Sequence, residues 1–250
     1  MLTRRNQDII RYPENSIVDP VTFTIDAQTT YKHETEFRVF VDELVGRSWK
    51  SPLNSISYLR FPSADVVFCL LNSCSITATK WTEYGYVAKS GISSLQQLRD
   101  CAIARPTYKL MALHHHLLPV SKTAAPNAKD VSICLDAAAL LDAAQLAGVH
   151  LTLHGHEHVC RLTRYQTILR GETTSRPGLH ILSTGSAGAK NDRLHGGERN
   201  ACCIVGIEQD HLQLMIRELR SNGEEAAAVC CGRLEITPLQ AASQCADQTP

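Results

Sequence analysis

Hydrophobic patterning is weak through residues 1–62, where Pro13, Pro20, Pro52 and Pro62 punctuate mixed polar sequence, and the segment reads as loops around one short helix near Glu36 to Val45. From Asp65 the texture changes. Val66-Val67-Phe68-Cys69-Leu70-Leu71 is an unbroken apolar run closed by Asn72-Ser73, which predicts a strand buried on both faces. Ile92, Leu95, Leu98, Ala102 and Ile103 recur at helical spacing, with Ser90 or Ser93 as caps and Pro106 as the stop, predicting a helix over 92–104. Tyr108 to Leu113 reads as the next strand. Asp130 to Ala147 is Ala- and Leu-rich and predicts a helix with Val131, Leu135, Ala138, Ala139 and Leu146 toward one side and Gly148 at its end. Val149 to Leu153 follows as a third buried strand.

Beyond His158 the pattern is mainly β: Val159 to Leu169, Leu179 to Ser183, Ala201 to Ile207 and Leu212 to Leu219, the last two about a turn at Glu208-Gln209-Asp210. From Ser221 the chain is Ala-, Cys- and Gln-rich with little pattern, and no internal repeat is present. Strand, helix, strand, helix, strand and then a β meander predict an α/β protein with a mixed sheet system, with residues 1–220 as the domain and 221–250 as a peripheral tail.

The 250 residues are 44% hydrophobic, enough to bury a sizeable core within one domain. Lys plus Arg and Asp plus Glu both number 25, and no basic block with interleaved aromatics occurs, so no nucleic-acid partner is expected. The ten cysteines form no CxxC pair and sit mostly in apolar runs, which reads as small buried hydrophobes with reduced thiols. Met1-Leu2-Thr3-Arg4-Arg5 lacks the apolar core of a signal peptide and no stretch is long enough for a bilayer. A cytoplasmic protein without a membrane partner is expected.

Two histidine clusters carry the candidate chemistry. His114-His115-His116 ends one predicted strand, and His154-Gly155-His156-Glu157-His158 ends the next. Open α/β sheets bind ligands beyond the carboxyl ends of their strands, so two such ends can share one metal site. Gly155 permits a sharp exit from the strand, letting His156 and His158 turn toward one point. Alternation along a strand keeps His114, His115 and His116 from all facing one way, so they are not all ligands. Neutral imidazole suits Zn, Fe, Ni and Cu, and mixed N/O sites also take Mn; histidines alone select none of these.

Other motifs fit poorly. Glu157 is followed directly by His158, so there is no His-Glu-x-x-His pair. Ser186 directly follows Gly185 in Thr184-Gly185-Ser186-Ala187-Gly188, which breaks the Gly-x-Ser-x-Gly spacing of a nucleophile elbow. Ser186 is therefore read as a turn residue, and Asn72 as the structural cap of a turn.

In their order, Leu70-Leu71-Asn72-Ser73, Leu113-His114-His115-His116-Leu117-Leu118-Pro119, Leu153-His154-Gly155-His156-Glu157-His158, Thr184-Gly185-Ser186-Ala187-Gly188 and the meander from Asn200 to Leu219 resemble the C-terminal part of the calcineurin-like metallophosphoesterases. The resemblance spans roughly residues 65–220. It implies a double-sheet α/β/β/α sandwich lacking its first strands, with a divalent metal centre (Mn, Fe, Zn or Ni) that holds two ions in an intact family member. His114 and His156 match ligands of the second metal and His158 a ligand of the first.

The family's Asp-x-His and Gly-Asp motifs are not present upstream. Arg5-Asn6-Gln7-Asp8 aligns with the Gly-Asn-His-Asp motif, which would make Asn6 a metal ligand and put Gln7 where the family has histidine. The implied reaction is hydrolysis of a small-molecule phosphomonoester or phosphodiester by metal-activated water, impaired by the missing ligands. His115 is read as a catalytic residue, either a further ligand or a phosphate contact. Two other readings stay open: a non-catalytic remnant or metal-binding module, and an unrelated single-metal hydrolase using His156 and His158 with Asp136 or Glu157.

Overall fold

The computed structural model describes residues 39–40, 43, 54–74, 84–120, 133–168, 177–190, 194, 199–219, 227–236 and 238–239. The expected helix near Glu36 to Val45 lies largely outside them; Val39, Phe40 and Glu43 are helical. The chain is α/β, built on two sheets.

The larger sheet has six strands: β1 (Ser55–Arg60), β2 (Asp65–Leu70), β3 (Thr107–Ala112), β4 (Leu151–His154), β5 (Cys160–Tyr165) and β6 (Leu179–Thr184). Their order is β1-β2-β3-β4-β6-β5. The central pairs β2–β3, β3–β4 and β4–β6 are parallel, while β1 and β5 close the edges antiparallel. The smaller sheet is the antiparallel meander β7 (Ala201–Ile207), β8 (Leu212–Glu218) and β9 (Ala227–Leu234).

Burial on both faces of the central strands follows their largely apolar sequences, which Lys109 in β3, Thr152 in β4 and Ser183 in β6 interrupt while staying buried. Val67, Cys69, Met111, Leu179 and Ile181 join one core with helices α1 (Ala88–Arg99) and α2 (Ala137–Leu146). Val66, Tyr108, Leu110, Leu151 and Leu182 face the other way, against Leu212, Leu214 and Leu234 of the meander. Helices, sheet and second sheet thus stack as three layers among the described residues. Burying a side chain such as Leu95, Leu140 or Leu182 contributes about 1.5–3 kcal/mol.

Both helices depart from their predicted limits. Helix α1 starts at Ala88, ahead of the expected serine caps, because the Asp136 carboxylate accepts the backbone N–H groups of Val87 and Ala88 at 3.2 and 2.9 Å. It ends at Arg99 instead of running to 104. Helix α2 begins only at Ala137, since Ile133 and Cys134 are extended and bridge His116 and Gly85. Its buried face is Ala137, Leu140, Leu141 and Ala144, whereas Leu135 and Leu146 are exposed, reversing their expected orientation. Gly148 follows its end with φ of 71°, the left-handed position that favours glycine.

Lys109 ties the two helix ends together. Its buried ammonium donates to the Arg99 and Ala147 carbonyls, both at 3.1 Å, where helix C-termini favour positive charge. Two strands were not expected: β1, from the region read as loops, and β9, from the region without pattern. The cysteines also correct their reading. Of the described thiols only Cys69 and Cys134 are buried, while Cys74, Cys230 and Cys231 are exposed, the last two on edge strand β9. No described helix is long and apolar enough to cross a membrane.

Candidate metal centre

Parallel pairing of β2, β3, β4 and β6 brings four chain exits to one edge of the sheet: Asn72-Ser73, His114-His115-His116, the segment after His154, and Thr184-Gly185. Because β3 and β4 are direct neighbours, the two histidine clusters meet there. His156 Nδ1 lies 2.9 Å from His114 Nε2. The His115 ring centroid is 5.0 Å from that of His114 and 4.5 Å from that of His156. Donor atoms of His114, His115 and His156 all fall within 4.8 Å of one another, the one such group with three or more potential ligands among the described residues.

His158 lies outside that group, and Asn6 lies outside the described residues. Asp136 is committed elsewhere, capping α1 and accepting the Cys134 thiol at 3.1 Å. No described carboxylate joins the three histidines.

The turn that carries His156 is not made by Gly155. Left-handed backbone falls on His156 and His158, with φ of 78° and 57°, while Gly155 needs no such conformation. Non-glycine residues persist there only when their surroundings hold them. Gly155 N–H donates to His114 O at 3.1 Å, Thr184 Oγ1 donates to His154 O at 3.2 Å, and Glu157 N–H reaches His116 Nε2 at 3.2 Å.

Ser73, which the sequence reading passed over, organises His115. Its buried Oγ accepts the backbone N–H groups of His114 and His115, both at 3.1 Å, and sits 2.9 Å from His115 Nδ1. A serine hydroxyl has two acceptor sites and one proton. With both acceptor sites engaged, the hydroxyl proton is the one left for Nδ1, which favours the tautomer of neutral His115 with its ring proton on Nε2. Gly85 packs against the same ring, leaving room for no side chain of its own. Asn72 behaves as expected, its Oδ1 accepting Cys74 N–H across a tight turn. Ser186 is likewise a turn residue, accepting Ala189 N–H at 3.1 Å.

Burial is the leading cause that pushes His114, His115, His116 and His154 toward neutrality. His115 and His116 are driven down to about 3 and His154 to about 4, while His114 is also lowered, with neighbouring histidines adding to the burial of each. Neutral rings keep lone pairs available to a metal. His114 and His156 offer converging nitrogens suited to one borderline transition ion, whereas His115 in the tautomer set by Ser73 offers a proton. A two-ion centre, which needs a bridging carboxylate, does not fit the described residues.

No protein-family model and no curated protein matches the chain. Similar solved structures include GAP50, the anchor in the inner membrane complex of Plasmodium, at 12% identity and a TM-score of 0.41, covering 76% of this chain and 57% of that one. Vps29 of Chaetomium thermophilum matches at 12% identity and a TM-score of 0.30, covering 79% and 64%. Purple acid phosphatase PPD1 from yellow lupin (Lupinus luteus) seeds matches at 10% identity and a TM-score of 0.42, covering 76% of this chain and 35% of the phosphatase. Vps29 and purple acid phosphatase are metallophosphoesterase-fold proteins. The chain thus spans between about a third and two thirds of the length of each.

Proposed function

We propose that the chain is a metal-dependent phosphoesterase with a single-ion site, in which His114 and His156 hold a divalent ion and His115 donates a hydrogen bond to a phosphoryl oxygen. The observation that carries this reading is the meeting of His114, His115 and His156 at the carboxyl edge of the parallel strands. When bound, a divalent ion there supplies a water of lowered pKa and neutralises charge on the phosphoryl group. His114 and His156 contribute ring nitrogens. His115, turned by Ser73 so that Nε2–H is free to donate, is placed beside them to orient a phosphoryl oxygen and offset its developing charge. Few protein ligands make the ion weakly held, so added metal is needed for turnover.

The absence of a described carboxylate from the cluster favours a second reading, a metal-binding module without turnover. The two are separated by titrating the chain with Zn and Mn and assaying p-nitrophenyl phosphate and bis-p-nitrophenyl phosphate. The enzyme reading expects His156→Ala to lose both bound metal and turnover, and His115→Gln to keep metal while losing turnover by about a hundredfold. Metal binding without measurable hydrolysis would establish the module instead. No metal binding by the unmodified chain would overturn both.

A further inference from the structure

We infer that His116 is a positioning residue: in its Nδ1–H tautomer it holds the Glu157 amide on Nε2 and so fixes the turn that presents His156. Glu157 N–H lies 3.2 Å from His116 Nε2, and His116 Nδ1 lies 3.0 Å from His154 Nδ1. A backbone amide only donates. Nε2 of His116 therefore holds a lone pair, the ring is neutral, and its one proton sits on Nδ1. That proton faces His154 Nδ1, which accepts it, leaving the His154 proton on Nε2. Both rings are buried, so the bond between them is made away from water, while the Glu157 bond is half-buried.

The direction of this chain of bonds matters because of what it anchors. Glu157 lies between His156 and His158, both non-glycine residues with positive φ. Its N–H is shared with Gly155 O at 3.1 Å, a bond within the turn itself, whereas the His116 bond ties the turn to the exit of β3. Gly155 N–H on His114 O makes a second tie to the same exit. The His116 ring centroid stays 5.9 Å from that of His156, and both its nitrogens are engaged, so it serves the turn and not the ion. Partners that orient a ligand in this way are worth about tenfold to a hundredfold in metal affinity.

The tautomer stands independently of the proposed metal site; the effect on affinity rests on it. In the metal-free protein, nitrogen-15 NMR of the imidazoles is expected to show His116 protonated at Nδ1 and His154 at Nε2, with slow hydrogen exchange at the Glu157 amide. A protonated Nε2 on His116 would overturn the inference whether or not the chain binds metal. Zinc affinity, measured by competition, is expected to fall about tenfold to a hundredfold in His116→Ala and to recover in His116→Gln, whose Oε1 can accept the amide. Unchanged affinity in folded His116→Ala would reject the positioning role. If that variant does not fold, the tautomer and the Glu157 exchange rate in the unmodified chain decide the matter. If the unmodified chain binds no zinc, the proposed function fails, and Glu157 exchange in His116→Gln, expected to stay slow, decides the anchor alone.

Discussion

A methyl group added at Gly85 would lie 2.5 Å from His115 Cβ and 2.6 Å from its Cγ, closer than side-chain carbons pack. The same ring is held by Ser73, whose Oγ sits 2.9 Å from Nδ1, so a shift of the ring to make room would disturb that hydrogen bond. Gly85→Ala is expected to cost about 1–3 kcal/mol, read from the urea midpoint, and, on the enzyme reading proposed above, to lower turnover at a given bound-metal content. Gly155 is the contrasting case. Its nearest foreign atom is Gly185 O at 4.0 Å and its φ is not positive, so Gly155→Ala is expected to change stability by less than about 0.5 kcal/mol. The sequence pointed to Gly155 because glycine beside paired histidines suggests a turn, yet the turn is carried by His156 and His158. His114 and His156 were legible from their places at the ends of apolar runs. Ser73 and Gly85 were not, since a hydroxyl that sets a tautomer and a glycine that makes room leave no local pattern.

Elements lend each other their ends in this fold. Asp136 occupies the residue before α2, yet its carboxylate bonds the first amides of α1, a helix forty-eight positions earlier. Asp136→Ala should therefore destabilise α1 more than α2, by about 1–2 kcal/mol, with hydrogen exchange at Val87 and Ala88 rising first. Equal loosening of the two helices would contradict that expectation. Such capping explains why the helix limits were hard to read: α1 begins where a distant carboxylate meets it, and the expected first turns of α2 are drawn out into bridges with His116 and Gly85. The central strands were legible because burial on both faces demands mostly apolar segments, clearest in Val66 to Leu71 and still readable in β3, β4 and β6 despite Lys109, Thr152 and Ser183. Strands β1 and β9 lie at sheet edges, where Ser55-Ile56-Ser57-Tyr58 is half solvated and Cys230 and Cys231 face water, so neither shows that signature.

At the scale of the molecule, a block of neutral imidazoles inside the fold makes the metal-free chain acid-sensitive. His115 and His116 titrate only near 3 and His154 near 4, with burial the first cause, and burial also lowers His114 and His180. On unfolding, each ring regains the ordinary value near 6.5 and takes up a proton that the folded chain refuses. The unfolded state therefore binds more protons through this window, so stability rises with pH from about 4 to 6.5 and is lost as pH falls. Thermal melts in a chelating buffer should show the midpoint nearly constant above pH 7 and falling steadily from pH 6.5 to 4.5. Zinc, bound by folded neutral rings, should raise the midpoint at pH 7, by about 2.7 kcal/mol of stability at a hundredfold excess over its dissociation constant. A flat acid profile in chelator would mean that water or a proton acceptor reaches these rings, and that burial does not hold His115, His116 and His154 neutral.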